Sequence, residues 1–467
     1  MAKISFHGGT GTVTGSKYLL ESNGKKVLVD CGLFQGLREL RERNWQDLPF
    51  DPREVDAVII THAHIDHTGF LPRLVKLGFS GNVFTSRATG DLMKILLPDS
   101  ARLQEEEADY RNRKGLTSHT PALPLYDELD AKEALGRLIQ VPNNGEQVEI
   151  CPGIKASFNV AGHIMGASLV LVEMENAREN GDSIRFLFSG DLGHYDQAIL
   201  KDPAPPPECD YLMVESTYGD RLHDEIPSDV LLAKVINEGF KRNAPILIPA
   251  FAVGRTQEII YMIRELEEAG KIPIMPVVVD SPMAKQATQV YNRWNEEHDE
   301  EYASILAKKK HPLRTQQMTT TNNRNDSIKI NKEEGAIIII SASGMLSGGR
   351  VLHHAVRILP NPDATLIFVG YQAAGTKGRI IKDGAKEVRI MHSWVPVRCH
   401  LEEIVVFSAH ADWKAVLRWL KALPKAPRMV FTTHGEPESA SAMAQHIRDE
   451  YGWNVLVPQY NQTIELT

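Results

Sequence analysis

Four potential metal ligands stand within six residues directly after the apolar run Val55–Thr61: His62, His64, Asp66 and His67. The apolar run predicts a buried strand. A strand that ends in a tight turn can direct His62 and His64 to one point, and the following Asp–His pair to a second. Imidazole and carboxylate together form the ligand set that zinc takes in hydrolytic sites. The chain is therefore expected to fold so that a metal site lies at the end of this strand.

Further acidic and histidine side chains also stand after an apolar run or at a glycine turn: Asp30, His163, Asp191 and His434. Each of them alone is typical of an ordinary polar residue beside a strand. Together with the first cluster they supply enough ligands for two metal ions.

The balance of charge restricts how this chain could bind a nucleic acid. The 467 residues are 42% hydrophobic and 24% charged, with a formal net charge of -8. A nucleic-acid binder often carries a basic excess. This chain does not, so any positive field has to be local, from a groove and from metal ions.

Cysteine usage and hydropathy predict a cytoplasmic protein. The four cysteines form no CxxC pair, which favours reduced thiols in the cytosol over a disulfide framework. No signal-cleavage pattern is recognisable near the first residue, and no apolar run reaches about 18 residues. We expect no membrane contact.

The middle of the chain alternates short apolar runs with helical segments, which predicts a parallel sheet covered on both faces. The helices are expected at Ser228–Arg242, Arg255–Ala269, Ala284–Trp294 and Gly349–Leu359. The polar stretch Lys308–Asn325 is interpreted as a loop or a helix end.

The ligand set, in its order and context, resembles the signature of the metallo-β-lactamase superfamily. Three further motifs resemble those of its β-CASP branch, which processes nucleic acids: Glu215 in MVESTYGD, His410 in SAHAD and His434 in HGE. The stretches SASGMLSGGR (Ser341–Arg350) and GYQAAGTKGR (Gly370–Arg379) also resemble that branch. The likeness extends to the cleavage and polyadenylation endonuclease and its prokaryotic ribonuclease relatives.

The resemblance implies an α/β fold, an αββα metallo-β-lactamase sandwich with an inserted Rossmann-like β-CASP domain. The sandwich would be built from residues 1–210 and 386–467, and the insert from residues 211–385. The active site is expected in a cleft where the two domains meet, which suits single-stranded RNA better than a duplex. A homodimer is plausible for this branch.

The resemblance also implies a role for each motif residue in a two-metal hydroxide mechanism with two Zn²⁺ per chain. The first metal would be held by His62, His64 and His163, the second by Asp66, His67 and His434, with Asp191 bridging. Asp30 would orient a ligand histidine. His410 would protonate the leaving oxygen while Glu215 holds its ring. Asp30, Asp66, Glu215 and His410 are thus the expected catalytic residues.

Substrate contacts are expected from glycine-rich and basic stretches: Ser341, Ser343, Gly344, Arg350, Lys377, Arg379 and Ser408. Backbone N–H groups and hydroxyls in such loops can hold a phosphate. A run of basic residues could supply the local positive groove that the acidic chain requires: Arg379, Lys382, Lys386, Arg389 and Arg398.

The third extra motif separates the two substrate classes of the branch, because it is histidine in the RNA group and typically valine in the DNA group. His434 therefore favours a zinc-dependent ribonuclease, endonucleolytic in the first instance, with 5′-3′ exonucleolytic cutting left open. Three alternatives stay open: a metallo-β-lactamase hydrolase of thioesters or small phosphodiesters, a catalytically silent RNA-binding scaffold, and a DNA nuclease.

Overall fold

The computed structural model describes residues 2–115, 120–223, 226–308, 311–404 and 409–467. Its strands are β1 (Ala2–Phe6), β2 (Tyr18–Ser22), β3 (Lys25–Val29), β4 (Ala57–Ile59), β5 (Asn82–Ser86), β6 (Leu138–Val141), β7 (Asn144–Cys151), β8 (Ile154–Val160), β9 (Ser168–Met174), β10 (Ile184–Phe188), β11 (Tyr211–Glu215), β12 (Ile246–Pro249), β13 (Val277–Asp280), β14 (Met318–Thr320), β15 (Ile338–Ser341), β16 (Thr365–Phe368), β17 (Glu387–Ile390), β18 (Ser393–Pro396), β19 (His400–Glu403), β20 (Met429–Thr433), β21 (Val455–Leu456) and β22 (Thr463–Leu466). Its α-helices are α1 (Arg38–Arg43), α2 (Ile65–Thr68), α3 (Leu71–Lys76), α4 (Arg87–Lys114), α5 (Glu128–Leu135), α6 (Ser228–Lys241), α7 (Arg255–Glu268), α8 (Pro282–Tyr291), α9 (Glu300–Ala307), α10 (Arg324–Ile330), α11 (Val351–Ile358), α12 (Lys377–Lys382), α13 (Trp413–Leu420) and α14 (Pro437–Tyr451).

The chain divides into two compact units. Unit 1 comprises Met1–Leu222 and His410–Thr467, and unit 2 comprises His223–Ala409. No helix of the described residues is long and apolar enough to cross a membrane.

Unit 1 is a sandwich of two seven-stranded sheets. The first has the order β22-β1-β2-β3-β4-β5-β6 and the second the order β21-β20-β11-β10-β9-β8-β7. One buried core joins the two sheets. The ring of Phe6 in the first sheet lies 5.3 Å from that of Phe431 in the second. Helix α4 packs on the first sheet and α14 on the second, so the expected αββα sandwich is confirmed.

Candidate functional residues of unit 1 follow the carboxyl ends of its strands. The turns and the strand registers decide which of these ends lie side by side. Asn23 and Gly24, with φ of 50° and 77°, connect β2 to β3 in the two-residue hairpin that the Asn-Gly pair predicts. Strand β3 then runs parallel to β4 with Val29 opposite Ile59. The residues that follow these two strands are therefore neighbours. Strands β10, β11 and β20 are likewise parallel neighbours.

Unit 2 contains a six-stranded parallel sheet in the order β14-β13-β15-β12-β16-β19. Its four central strands are short runs of buried, mostly apolar residues, as expected for a sheet covered by helices on both faces. Helices α6, α7 and α11 lie within their predicted segments, and α8 overlaps its segment but begins two residues earlier, at Pro282. The Rossmann-like fold expected for the insert is confirmed.

The units begin and end at other residues than the predicted domains. Strand β11 starts at residue 211, yet it pairs between β10 and β20 in the sandwich. Strand β19 lies beyond residue 386, yet it pairs with β16 of unit 2. The sequence of each strand would suit either sheet. Only the long-range pairing shows which sheet the strand joins. The stretch Lys308–Asn325, interpreted as a loop or helix end, contains the strand β14, which is short and polar and forms by pairing with β13.

Candidate metal centre

The residues of the candidate site come from strand ends of unit 1. Asp30 follows β3, with φ of 60°, and the cluster from His62 to His67 follows β4 and enters α2. Glu215 is the last residue of β11. The remaining members stand in the loops after β8, β10 and β20 and shortly before α13: His163, Asp191, His434 and His410. Residues far apart in sequence meet because parallel neighbours end at the same edge of a sheet.

A first group of donor atoms consists of His62, His64, His163 and Asp191. His64 Nδ1 lies 3.2 Å from His62 Nε2 and 3.2 Å from His163 Nε2. Asp191 Oδ2 lies 3.4 Å from His62 Nε2 and 3.6 Å from His163 Nε2. Three ring nitrogens and one carboxylate oxygen thus face a common point.

A second group consists of Asp66, His67, His434 and the same Asp191. His67 Nε2 lies 3.1 Å from His434 Nε2. Asp66 Oδ2 lies 3.3 Å from His434 Nε2, and Asp191 Oδ1 lies 3.3 Å from His67 Nε2. Asp191 therefore belongs to both groups, with one oxygen toward each.

These separations fit divalent cations. Ligand nitrogens at 2.0–2.1 Å from a tetrahedral zinc are about 3.3 Å from one another, close to the spacings in both groups. A neutral imidazole has one donor and one acceptor nitrogen, so three ring nitrogens aimed at one point cannot all satisfy each other. Oxygen and nitrogen donors of this kind suit a divalent metal ion. The described residues of unit 1 therefore form a divalent-metal centre.

For the three histidines of the first group and for the two carboxylates, the protonation states that the fold favours are those of metal ligands. Burial lowers the pKa of His62, that of His64 to about 3, and that of His163 well below its usual value. Burial opposes ionisation of Asp66 and Asp191, but the neighbouring histidines outweigh it and hold both pKa values below the usual range. Neutral imidazoles and ionised carboxylates bind metals without first losing a proton.

Asp30 forms a hydrogen bond with a histidine of the second group. Its Oδ2 lies 2.7 Å from Nδ1 of His67, and its carboxylate accepts hydrogen bonds from the backbone N–H and the hydroxyl of Thr61. Burial opposes protonation of His67, but the carboxylates of Asp191 and Asp30 outweigh it and raise its pKa well above the usual value. A carboxylate in this place fixes which nitrogen of the ring faces the metal.

Sequence reasoning missed three residues that position the ligands. Thr61 Oγ1 lies 3.1 Å from Nδ1 of His62, and Thr217 Oγ1 lies 3.1 Å from Nδ1 of His434. A Cβ on Gly32 would lie 1.5 Å from the carbonyl oxygen of Asp66, so only glycine fits there. The signals were present, since each residue stands within two positions of a candidate already named.

Glu215, which is buried, and His410, which is partly exposed, form a pair beside the first group. His410 Nδ1 lies 3.0 Å from both carboxylate oxygens of Glu215, and the N–H of Leu192 donates to Oε1 of Glu215 at 2.7 Å. Burial opposes protonation of His410, but Glu215, Asp191 and Asp66 outweigh it and raise its pKa to about 9. The raised pKa favours the doubly protonated ring, which can donate from Nε2 as well as from Nδ1.

The predicted substrate contacts lie in unit 2, where several of them support its loops. Ser341 is fully buried and donates its hydroxyl to the carbonyl oxygen of Asp280 at 3.1 Å. Arg350 Nη1 donates to a carboxylate oxygen of Asp280 at 2.8 Å. Arg379 Nε donates to Asp383 on the surface. In this structure the Ser341 hydroxyl is directed to the backbone instead of to a ligand.

The other four predicted contacts differ in their surroundings. Ser343 Oγ accepts from the backbone N–H of Ser347 at 3.4 Å. Gly344 lies against the ring of Phe251, which a Cβ would approach to 3.1 Å. Lys377 is the first residue of α12. Ser408 lies outside the described residues.

The Asp30→Asn substitution tests the support of the ligand histidine. It keeps the shape of the side chain but removes its charge, so the hydrogen bond between Asp30 and Nδ1 of His67 becomes weaker. Loss of such an outer partner typically lowers metal affinity about 10–100-fold. We expect a drop of this size in zinc affinity by chelator competition. Asp51→Asn is the control, because Asp51 accepts hydrogen bonds from Arg53 at the surface. Equal zinc affinity in the Asp30 variant and the wild type would contradict this role.

Three protein-family models match parts of this chain. The model of the metallo-beta-lactamase superfamily matches residues 10–80, that of the Beta-Casp domain residues 256–381, and that of the Zn-dependent metallo-hydrolase RNA specificity domain residues 394–458. A solved structure of a protein of unknown function from Enterococcus faecalis V583 covers 100% of both chains with a TM-score of 0.52 at 13% identity. That likeness shows a shared fold.

Relatives of nearly the same length are also found. A ribonuclease of Thermus thermophilus is 35% identical over 443 residues, 94% of each chain. An RNase J-like protein of Methanocaldococcus jannaschii is 30% identical over 451 residues, 96% of each chain. The transcription termination factor FttA of Cenarchaeum symbiosum is 30% identical over 480 residues, 98% of this chain and 70% of that one. On this likeness and on its two ligand groups, the chain belongs to the metallo-β-lactamase superfamily and, within it, to the β-CASP branch.

Proposed function

We propose that this protein is a zinc-dependent ribonuclease that hydrolyses phosphodiester bonds of single-stranded RNA with two Zn²⁺ per chain. The observation that carries the proposal is the sharing of Asp191 between two ligand groups next to the Glu215–His410 pair. Relatives named as a ribonuclease and as an RNase J-like protein support RNA as the substrate. Endonucleolytic cutting is the primary mode proposed.

The ligand assignment follows the two groups. His62, His64 and His163 would hold one ion and Asp66, His67 and His434 the other, and Asp191 is a member of both groups. Five of these seven ligands are histidines, a set that favours zinc over magnesium or calcium. When bound, the ions stabilise negative charge that develops on the phosphate and activate a water as the nucleophile.

The chain's own residues supply the orientation and the proton. Asp30 and Thr61 hold the rings of His67 and His62 so that each offers one chosen nitrogen. His410 donates the proton on Nε2 to the leaving oxygen, which would otherwise depart as an alkoxide. Glu215 keeps Nδ1 of His410 protonated and fixes the plane of the ring.

A cleavage assay on end-labelled RNA tests the proposed function. Zinc-loaded protein is expected to shorten single-stranded RNA and to leave DNA of the same sequence intact. His64→Ala should abolish cleavage, because it removes a ligand from the first group. His446→Ala is the control, since its ring stacks on Trp413 at the surface helix α14. If RNA survives with two zinc ions bound per chain, the proposal fails in favour of a hydrolase of small substrates or a silent scaffold.

The Glu215→Gln substitution separates proton donation from metal binding. It removes the charge that holds His410 protonated, and general acid catalysis typically contributes about 10²–10⁴-fold. We expect kcat on RNA to fall by that order while zinc content stays at the wild-type value. Glu208→Gln serves as the matched control, because Glu208 pairs with Arg185 at the surface. A large loss of zinc in the Glu215 variant would make Glu215 a metal ligand and refute its assignment as the orienting residue.

A further inference from the structure

Strands β17 and β18 of unit 2 form a tight antiparallel hairpin. Its ladder runs from Glu387 opposite Pro396 to Ile390 opposite Ser393. The two turn residues, Met391 and His392, have φ of 49° and 67°, the left-handed values of a type I′ turn. A two-residue turn of this kind fixes the register, so the hairpin presents its side chains in a defined arrangement.

The hairpin has one buried and one exposed face. Val388, Ile390 and Val395 are part of the unit 2 core. Arg389 stands directly opposite Trp394 on the other face, and both are exposed, Trp394 with 64% of its surface accessible. Directly paired side chains have Cβ atoms about 4.5–5.5 Å apart. The side chains of Arg389 and Trp394 therefore start from neighbouring points on the exposed face.

Basic residues are frequent on the stretch of chain that contains this tryptophan. Of the basic run singled out in the sequence, Arg379 pairs with Asp383 and Lys382 with Glu403. The other three are exposed and form no ion pair with any residue that the structure describes: Lys386, Arg389 and Arg398. One carboxylate, that of Glu387, lies on the same stretch of residues 386–400. Residues 386–400 thus have three basic side chains and one acidic, a local excess of two positive charges in a chain of net charge -8.

We propose that this hairpin is a binding platform for single-stranded RNA, on which one base stacks on Trp394 while Arg389 and its neighbours contact the phosphates. The proposal rests on the ribonuclease function proposed above and adds a subsite outside the metal centre. Exposed aromatic rings beside cationic side chains bind single strands with little dependence on sequence, because every base has a flat face. An arginine next to the ring can contribute through both its charge and its plane.

Charge favours RNA over a protein partner as the occupant. A protein interface centred on this hairpin would be expected to bury several apolar side chains around the tryptophan. Here the cross-strand neighbour is Arg389, and the flanking exposed residues Lys386 and Arg398 are cationic as well. A polyanion neutralises these charges on binding, which a neutral surface does not.

The test measures RNA affinity in full-length, zinc-loaded protein that carries Glu215→Gln to slow cleavage. The probe is a fluorescein-labelled single-stranded RNA of 20 nucleotides, followed by anisotropy. Stacking of one base contributes about 1–3 kcal/mol, so Trp394→Ala should raise Kd about 5–150-fold, and Trp394→Phe should raise it less. Arg389→Ala should weaken binding and lower the slope of log Kd against log salt by about one. Trp45→Ala is the matched control, because Trp45 is an exposed tryptophan of unit 1.

Two further measurements separate the platform from the active site. In the otherwise wild-type protein, Trp394→Ala should raise KM for the long RNA while kcat and the hydrolysis of bis(4-nitrophenyl) phosphate stay unchanged. An unchanged Kd and KM in Trp394→Ala would overturn the platform and leave the ribonuclease intact. Trp394-dependent RNA binding without any cleavage by the wild type would support the platform and refute the ribonuclease. Loss of a dimer in Trp394→Ala, by light scattering, with unchanged RNA affinity would overturn the platform in favour of a contact between copies.

Discussion

The carboxylate of Asp191 lies between two groups of histidines, with Oδ2 toward His62 and Oδ1 toward His67. It is buried, and so are most of the rings around it. Buried groups packed this closely are costly unless something compensates them. Ring nitrogens 3.1–3.2 Å apart gain little from one another, and divalent cations bound between them would compensate this cost. The rest of unit 1 holds these groups together against that cost.

The two-sheet architecture is what brings the groups together. Ligands from residue 62 to residue 434 approach within a few ångströms because parallel strands end side by side. The strands themselves are fixed by an aromatic core, in which Phe431 contacts Phe6 across the sandwich and Phe186 within its own sheet. Outer partners then set each ring: Asp30 for His67, Thr61 for His62 and Thr217 for His434. A site built this way is preorganised, so binding of the ions requires little movement of the ligands.

Much of the site could be predicted from sequence because its ligands stand directly after apolar strands. The cluster from His62 to His67 is local, and periodicity and ligand chemistry suffice to identify it. Thr61, Thr217 and Gly32 were not found, since their importance depends on contacts with residues distant in the chain. The predicted domain boundaries differ from those of the units for the same reason, because the unit to which β11 or β19 belongs is decided by the strand it pairs with. Arg350 looked suited to a phosphate, but only the folded chain shows that it contacts Asp280.

The central claim is that one shared aspartate and six further ligands hold two ions, and one diffraction measurement tests it directly. Crystals of the zinc-loaded protein would be measured on both sides of the zinc absorption edge, so that anomalous peaks mark zinc alone. The account predicts two peaks, one within reach of His62, His64 and His163, the other within reach of Asp66, His67 and His434, and both next to Asp191. A single peak, or peaks away from these residues, would contradict it.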